Sequence, residues 1–175
     1  MSETTIGHTA DTRPESTVHR DDTRLSHHTP PPATRHDGWA AERDIPSNRL
    51  YTSTHSWLTL GPDEVLADHP QRVGITAAAL VDTDIVLLEL PAVRQTVTAH
   101  TPCAHLVTPS AAIPVYAPID GLVTIVNVEA VADPRLVAQD PYHRGWFFAL
   151  LPIRSSSVSG LLTATRYRAE GYAPG

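Results

Sequence analysis

From residue 49 onward the chain reads as one short strand after another. His55-Ser56-Trp57-Leu58-Thr59-Leu60 follows the two-residue period of a half-buried strand. Residues 84–90 form a near-continuous apolar run bounded by turn signals, which predicts a strand buried on both faces. Further strands are expected at Thr96-Val97-Thr98, at residues 103–107, at Val115-Tyr116 and at residues 121–128. In the last of these Val123, Thr124, Ile125, Val126 and Val128 are β-branched and suit a pleated surface. Ile119-Asp120-Gly121 supplies the turn between the last two, and residues 146–151 close the sheet. Many short strands separated by turn residues predict a mainly β domain, a small sandwich or barrel.

Helices are expected only at the periphery. Thr76-Ala77-Ala78-Ala79-Leu80-Val81 makes a turn or two with Thr76 as N-cap. Asp133-Pro134-Arg135-Leu136-Val137 pairs a cap residue with proline at the first helical position. Residues 156–167 read as a C-terminal helical region that packs back through Leu161, Leu162 and Tyr167, with Gly160 weakening its middle.

Residues 1–46 have a different composition. They are rich in Thr, Ser, His, Asp, Arg and Pro, carry Pro30-Pro31-Pro32 and have almost no periodic apolar pattern. Such a segment buries too little apolar surface to offset its conformational entropy. The expected organisation is a disordered arm over 1–48 and one domain over 49–175. The N-terminus has neither a basic start nor an apolar stretch, and no run approaches spanning length, so a cytoplasmic protein away from membranes is expected. The formal net charge is -6 without a basic stripe, which argues against nucleic acid as a partner. A single cysteine rules out an internal disulfide.

The residues with chemical potential are few. Ser110 sits in a turn-like segment with His105 nearby in sequence, but nothing resembling a nucleophile elbow surrounds it, and a small turn residue is the plainer reading. Cys103 lies on an expected strand and reads as a small buried apolar residue. The chain has 10 histidines, half of them (His8, His19, His27, His28 and His36) in the arm, where they cannot converge on a metal with fixed geometry. No catalytic, metal or noncovalent cofactor site is expected. Trp57 and Trp146 fit a sandwich core or rim, and Trp39 in the arm is the aromatic free to anchor a partner.

Several motifs in one order carry a resemblance. Tyr51-Thr52-Ser53-Thr54-His55-Ser56-Trp57 matches Y-T-x-x-H-E-W with Ser56 in place of the acid, and Val73-Gly74-Ile75-Thr76 matches V-G-I-T. Asp84-Ile85-Val86-Leu87-Leu88-Glu89-Leu90-Pro91, Tyr116-Ala117-Pro118-Ile119-Asp120-Gly121 and Asp140-Pro141-Tyr142-His143-Arg144-Gly145-Trp146 follow at close to the same spacing. From Leu50 to about Tyr172 the chain resembles the H-protein of the glycine cleavage system. The resemblance implies a barrel-sandwich hybrid of the biotinyl and lipoyl type with short peripheral and C-terminal helices. It also implies a carrier whose lysine-borne lipoyl arm moves an aminomethyl group among a pyridoxal-phosphate decarboxylase, a folate-dependent aminomethyltransferase and a flavin dehydrogenase.

This chain departs from that pattern at its centre. Of its 13 Lys+Arg residues every one is arginine. Family members read E-S-V-K-A-V-S-D-I-Y-A-P before the Tyr116 motif, and counting back without a gap places the lysine on Ser110, the glutamate on Val107 and the aspartate on Pro114. A serine hydroxyl supplies neither the amine nor the reach of a lysine. The resemblance therefore implies a noncatalytic, non-lipoylated H-protein-like paralogue. It would act by protein–protein docking as a scaffold or regulator, within glycine metabolism or a specialised pathway. Its interaction surface is expected at Val107, Pro109, Ser110, Ala111, Ala112, Ile113 and Pro114, and its partner is expected among glycine-cleavage-type or pathway-specific enzymes. Two alternatives stand beside it: a glycine cleavage-associated carrier with a non-lipoyl attachment, and a small enzyme using Ser110 or Cys103 as nucleophile.

Overall fold

The computed structural model describes residues 45–60, 69–153 and 156–172. The expected disordered arm and Trp39 lie, up to residue 44, outside the described residues. Ile45, the first described residue, is already packed. Its side chain is buried against Tyr51 and Tyr167, and the Tyr51 hydroxyl donates to Pro46 O at 2.6 Å.

Among the described residues ten strands form two antiparallel sheets. Strands β1 (Arg49–Tyr51), β2 (Ser56–Thr59), β3 (Gln71–Ile75), β5 (Thr96–Val97), β8 (Gly121–Val126), β9 (Phe148–Pro152) and β10 (Leu162–Thr163) make a seven-stranded sheet in the order β10-β1-β2-β3-β9-β8-β5. Strands β4 (Leu87–Glu89), β6 (Pro102–Val107) and β7 (Ala112–Tyr116) make a three-stranded sheet in the order β4-β6-β7. The main core lies between them, with Leu58, Val73, Val123 and Leu150 from the larger sheet and Leu88, Leu106 and Val115 from the smaller. The Ser56 hydroxyl donates to Tyr116 O at 2.7 Å and so ties β2 to β7. The serine that replaces the motif acid is thus a structural link. The mainly β, lipoyl-like architecture implied by the resemblance is present.

A second cluster lies beside the outer strands. Trp57 is fully buried there with Tyr51, Tyr142, Leu162 and Tyr167, and its indole Nε1 donates to Ile75 O at 2.9 Å. A Cβ on Gly74 would fall 2.4 Å from the Trp57 ring, so only glycine lets β3 approach it. The Arg49 guanidinium lies 4.3 Å from the centroid of the Trp57 ring and donates to Tyr142 O.

Three expectations need correction. The run over 84–90 is covered on one face only: β4 buries Leu88 but exposes Leu87 and Glu89, because only one side of the small sheet faces the core. The strand over 121–128 ends at Val126. Asn127 then caps helix α1 (Val128–Ala132), its Oδ1 accepting from the amides of Glu129 and Ala130 at 3.2 and 3.4 Å. That buried cap, whose amide nitrogen also donates to the carbonyls of Arg144 and Trp146, overrides the β propensity of Val128 and Val131. The C-terminal region is not helical from residue 156 on. Gly160 has φ +90°, Leu162–Thr163 pairs with β1, and helix α3 spans only Ala164–Ala169.

Two other helical expectations hold in modified form. The Thr76 segment is a single 3-10 turn, Ala77–Leu80, and the Thr76 hydroxyl does not cap it but lies 3.0 Å from the Tyr167 hydroxyl. Helix α2 (Arg135–Gln139) follows Asp133, whose Oδ1 accepts from the Arg135 amide at 3.3 Å. Among the described residues no helix is long and apolar enough to cross a membrane.

Candidate functional site: the β6–β7 hairpin and the face behind it

The expected interaction residues fall on one hairpin. Strands β6 and β7 pair antiparallel with Val107 opposite Ala112, Leu106 opposite Ile113 and His105 opposite Pro114, leaving residues 108–111 as the connection. One side chain organises that connection. The Thr108 hydroxyl oxygen accepts from the Ala111 amide at 3.0 Å and the Ser110 amide at 3.3 Å, while the Thr108 amide donates to Ala111 O at 2.8 Å. These bonds mimic a backbone turn, and Pro109 fixes one further torsion inside them. Ser110 is exposed, and its hydroxyl lies 3.4 Å from Thr108 Oγ1.

The strand alternation sorts the remaining residues. Val107 and Ala112 share the outward face, and Val107 lies beside Leu87 of β4. Ile113 sits on the other face: it is half-buried, opposite the fully buried Leu106, and packs against the main core. It therefore faces away from Ala112, because residues 112 and 113 must point to opposite faces of a strand. Pro114 is exposed on β7, an outer strand of the small sheet. With no amide hydrogen it leaves a gap in the row of donors that another strand would need.

The outward face thus has two cross-strand rows, Leu87–Val107–Ala112 and Glu89–His105–Pro114. In the second, His105 Nδ1 lies 3.6 Å from Glu89 Oε2, with both side chains largely exposed. His105 lies two residues back from Val107, the end of β6, about 7 Å at strand rise, and Ser110 lies beyond that end in the turn, so His105 does not serve the Ser110 hydroxyl as a base. Cys103 is half-buried, its thiol donates to Val115 O at 3.4 Å, and burial pushes it up to about 12. Burial thus disfavours the thiolate, the form that acts as a nucleophile.

His55 and His143 make structural contacts. His55 Nδ1 meets the Tyr167 hydroxyl at 2.5 Å, and His143 pairs on the surface with Asp140 at 3.1 Å. No group of three or more His, Cys, Asp or Glu side chains that could hold a metal occurs among the described residues. An amide-linked lipoyl group needs a lysine amine, and the hairpin tip offers only the hydroxyls of Thr108 and Ser110; the residues present do not fit it.

The glycine cleavage H-protein family model matches residues 49–171, which include both sheets and the hairpin. The chain belongs to the glycine cleavage H-protein family. It is 40% identical over 127 residues to the glycine cleavage system H protein of Shewanella sp. (strain MR-7), covering 72% of this chain and 95% of that one. To the glycine cleavage system H protein of Chromobacterium violaceum it is 38% identical over 128 residues, covering 73% of this chain and 96% of that one. Among solved structures it is similar to a glycine cleavage system H protein from Mycobacterium marinum, with a TM-score of 0.66 and 37% identity. That match covers 72% of this chain and 98% of the other.

Two features of the face behind the hairpin were not legible in the sequence. The exposure of Val86 and Leu87 follows from β4 lying in the smaller sheet, and helix α1 brings Val128 and Val131 to the surface beside β4. The local signal for α1 was Asn127, a strong N-cap residue standing at the end of a β-branched run.

Proposed function

We propose that this H-protein relative carries no lipoyl arm and works by docking, as a scaffold or regulator that presents the β6–β7 hairpin to a partner protein. The observation that carries the reading is the absence of lysine from all 175 residues together with a serine at the hairpin tip. The altered flanks support it. Val107 and Pro114 stand where the resemblance places acids, so the tip has lost charge as well as the amine. The Thr108 bonds and Pro109 stiffen the loop, and a loop ordered beforehand loses less entropy when it is bound. The enzymes that serve the family's arm, or enzymes derived from them, are the natural partners for a surface descended from a carrier.

Intact mass tests the reading. Purified from its native host, and after incubation with a lipoate ligase, lipoate and ATP, the chain should show the unmodified 19.0 kDa mass. A lipoyl increment would overturn the proposal, and any other stoichiometric increment on Ser110 would favour a carrier with a non-lipoyl attachment. The variant Ser110→Lys should supply an acceptor yet be modified poorly, since Val107 and Pro114 remain beside it. Efficient lipoylation of that single variant would show that the flanks matter less than argued.

A further inference from the structure

Five of the large apolar side chains exposed among the described residues come from two neighbouring segments. Val81, Val86 and Leu87 precede or begin β4, and Val128 and Val131 belong to α1, which lies against β4. Val86 and Leu87 are 53% and 46% exposed, and Val128 and Val131 are 70% and 42% exposed. Val128 and Val131 are three residues apart and share one face of α1, while Ala130 on the opposite face is fully buried. Leu87 continues into the row Val107–Ala112. Exposed apolar side chains are thus gathered on three neighbouring elements, α1, β4 and the hairpin strand β6, and such a gathering on a domain surface marks a contact site.

The segment that leads into and forms β4 carries charge of one sign. Residues 81–90 contain Asp82, Asp84 and Glu89 and no arginine, and residues 102–116 contain no arginine and no carboxylate, only His105. The arginines near α1 are engaged locally, Arg144 with Glu129 at 3.6 Å and Arg135 with Asp133 at 2.9 Å. A second copy of this chain would bring the same carboxylates against themselves, so a self-complementary pairing is disfavoured.

We propose that the band formed by Val86, Leu87, Val107, Val128 and Val131 receives a basic amphipathic helix of a protein partner. Its leucine-type side chains would lie along the band, and its lysines or arginines would face Asp82, Asp84 and Glu89. The proposal rests on the docking reading given above and extends it, moving the main contact from the hairpin tip to the face shared by β4 and α1. Apolar anchors set the strength of such a contact, and the carboxylate rim sets its orientation and its response to salt.

The test uses the full chain and a fluorescent Leu/Lys amphipathic peptide, with the Leu/Glu peptide of the same pattern as comparison. Anisotropy should show saturable binding of the Leu/Lys peptide only, weakened by salt, and amide shift changes should centre on residues 82–89, 107 and 128–131. Leu87→Glu and Val128→Glu, both at exposed positions, should each weaken binding by about tenfold, as loss of an anchor does. Ile153→Glu, on an exposed apolar residue of another segment, should not. Equal binding of the Leu/Glu peptide, equal loss in all three variants, shift changes centred elsewhere or no binding at all would overturn the proposal. Each result is independent of the mass measurement, so lipoylation could defeat the unmodified-scaffold reading while this face stood, or the reverse.

Discussion

Tyr167 closes a bond with His55 across 112 positions of sequence. Its hydroxyl lies 2.5 Å from His55 Nδ1 and 3.0 Å from the hydroxyl of Thr76, and this joins α3 to the start of β2 and the end of β3. His55 itself holds φ +68°, and its carbonyl accepts from the Thr76 amide at 2.9 Å. The histidine of the entry motif is thus a clasp on the C-terminal helix.

Removal of that clasp should be measurable. Tyr167→Phe leaves the ring's packing against Tyr51 in place, with centroids 5.0 Å apart, but strands the Thr76 hydroxyl and the His55 nitrogen. Urea unfolding should show a loss of about 1–3 kcal/mol, the cost of unsatisfied buried partners. No loss would mean that the hydroxyl is replaced by water at no cost.

The same clasp gives stability a pH dependence. Burial lowers the His55 value from its ordinary one, so in the acid range the unfolded chain binds a proton there that the folded chain refuses. Stability contributed by neutral His55 is complete above the ordinary histidine range, near 6.5, and falls as pH drops below it toward the folded-state value. The urea midpoint of the wild type should therefore fall between about pH 7 and pH 5. His55→Asn should flatten that part of the profile, and an unchanged slope would remove His55 as its source.

Gly74 marks a contact with no slack. A methyl group there would meet the Trp57 ring at 2.4 Å, and Trp57 is itself held by its bond to Ile75 O. Gly74→Ala should cost about 1–3 kcal/mol through displacement of the indole, the usual penalty of overpacking. Trp57 fluorescence should shift with it, provided Trp39 and Trp146 are first replaced by Phe.

Arg49 offers the opposite expectation. Its guanidinium is buried, burial lowers its value, its Nε has no hydrogen-bond partner, and no carboxylate pairs with it among the described residues. Contact with the Trp57 ring and the bond to Tyr142 O offset only part of the desolvation. Arg49→Leu should leave thermal stability unchanged or raise it. A fall of more than about 2 kcal/mol would show that the cation stabilises the second cluster.

The two faces of the hairpin should separate under mutation. Val107→Asp places a charge on the outward face and should leave the melting temperature nearly unchanged while weakening partner binding. Ile113→Asp drives a carboxylate against Leu106 and the main core and should destabilise the fold by about 2 kcal/mol or more. If the two variants melt alike, the facing deduced from the register is wrong.

The sequence by itself determined the strand-rich class, the position of the hairpin, the glycine under Trp57 as part of a motif, and the absence of any lysine. Each depends on residue identity or on a period of two, and these are local properties. What only the tertiary structure decided depends on which surface lies over each residue. The run at 85–88 is apolar on both faces, yet only Leu88 is covered, because its small sheet packs on one side alone. Val128 and Val131 favour a strand by their own propensity, but the buried Asn127 cap, held by the carbonyls of Arg144 and Trp146, turns the chain into a helix. Ile113 reads as part of an apolar tip, and the register with Leu106 turns it inward. Partners brought from distant sequence supplied these outcomes, and no window along the chain contains both halves of such a contact.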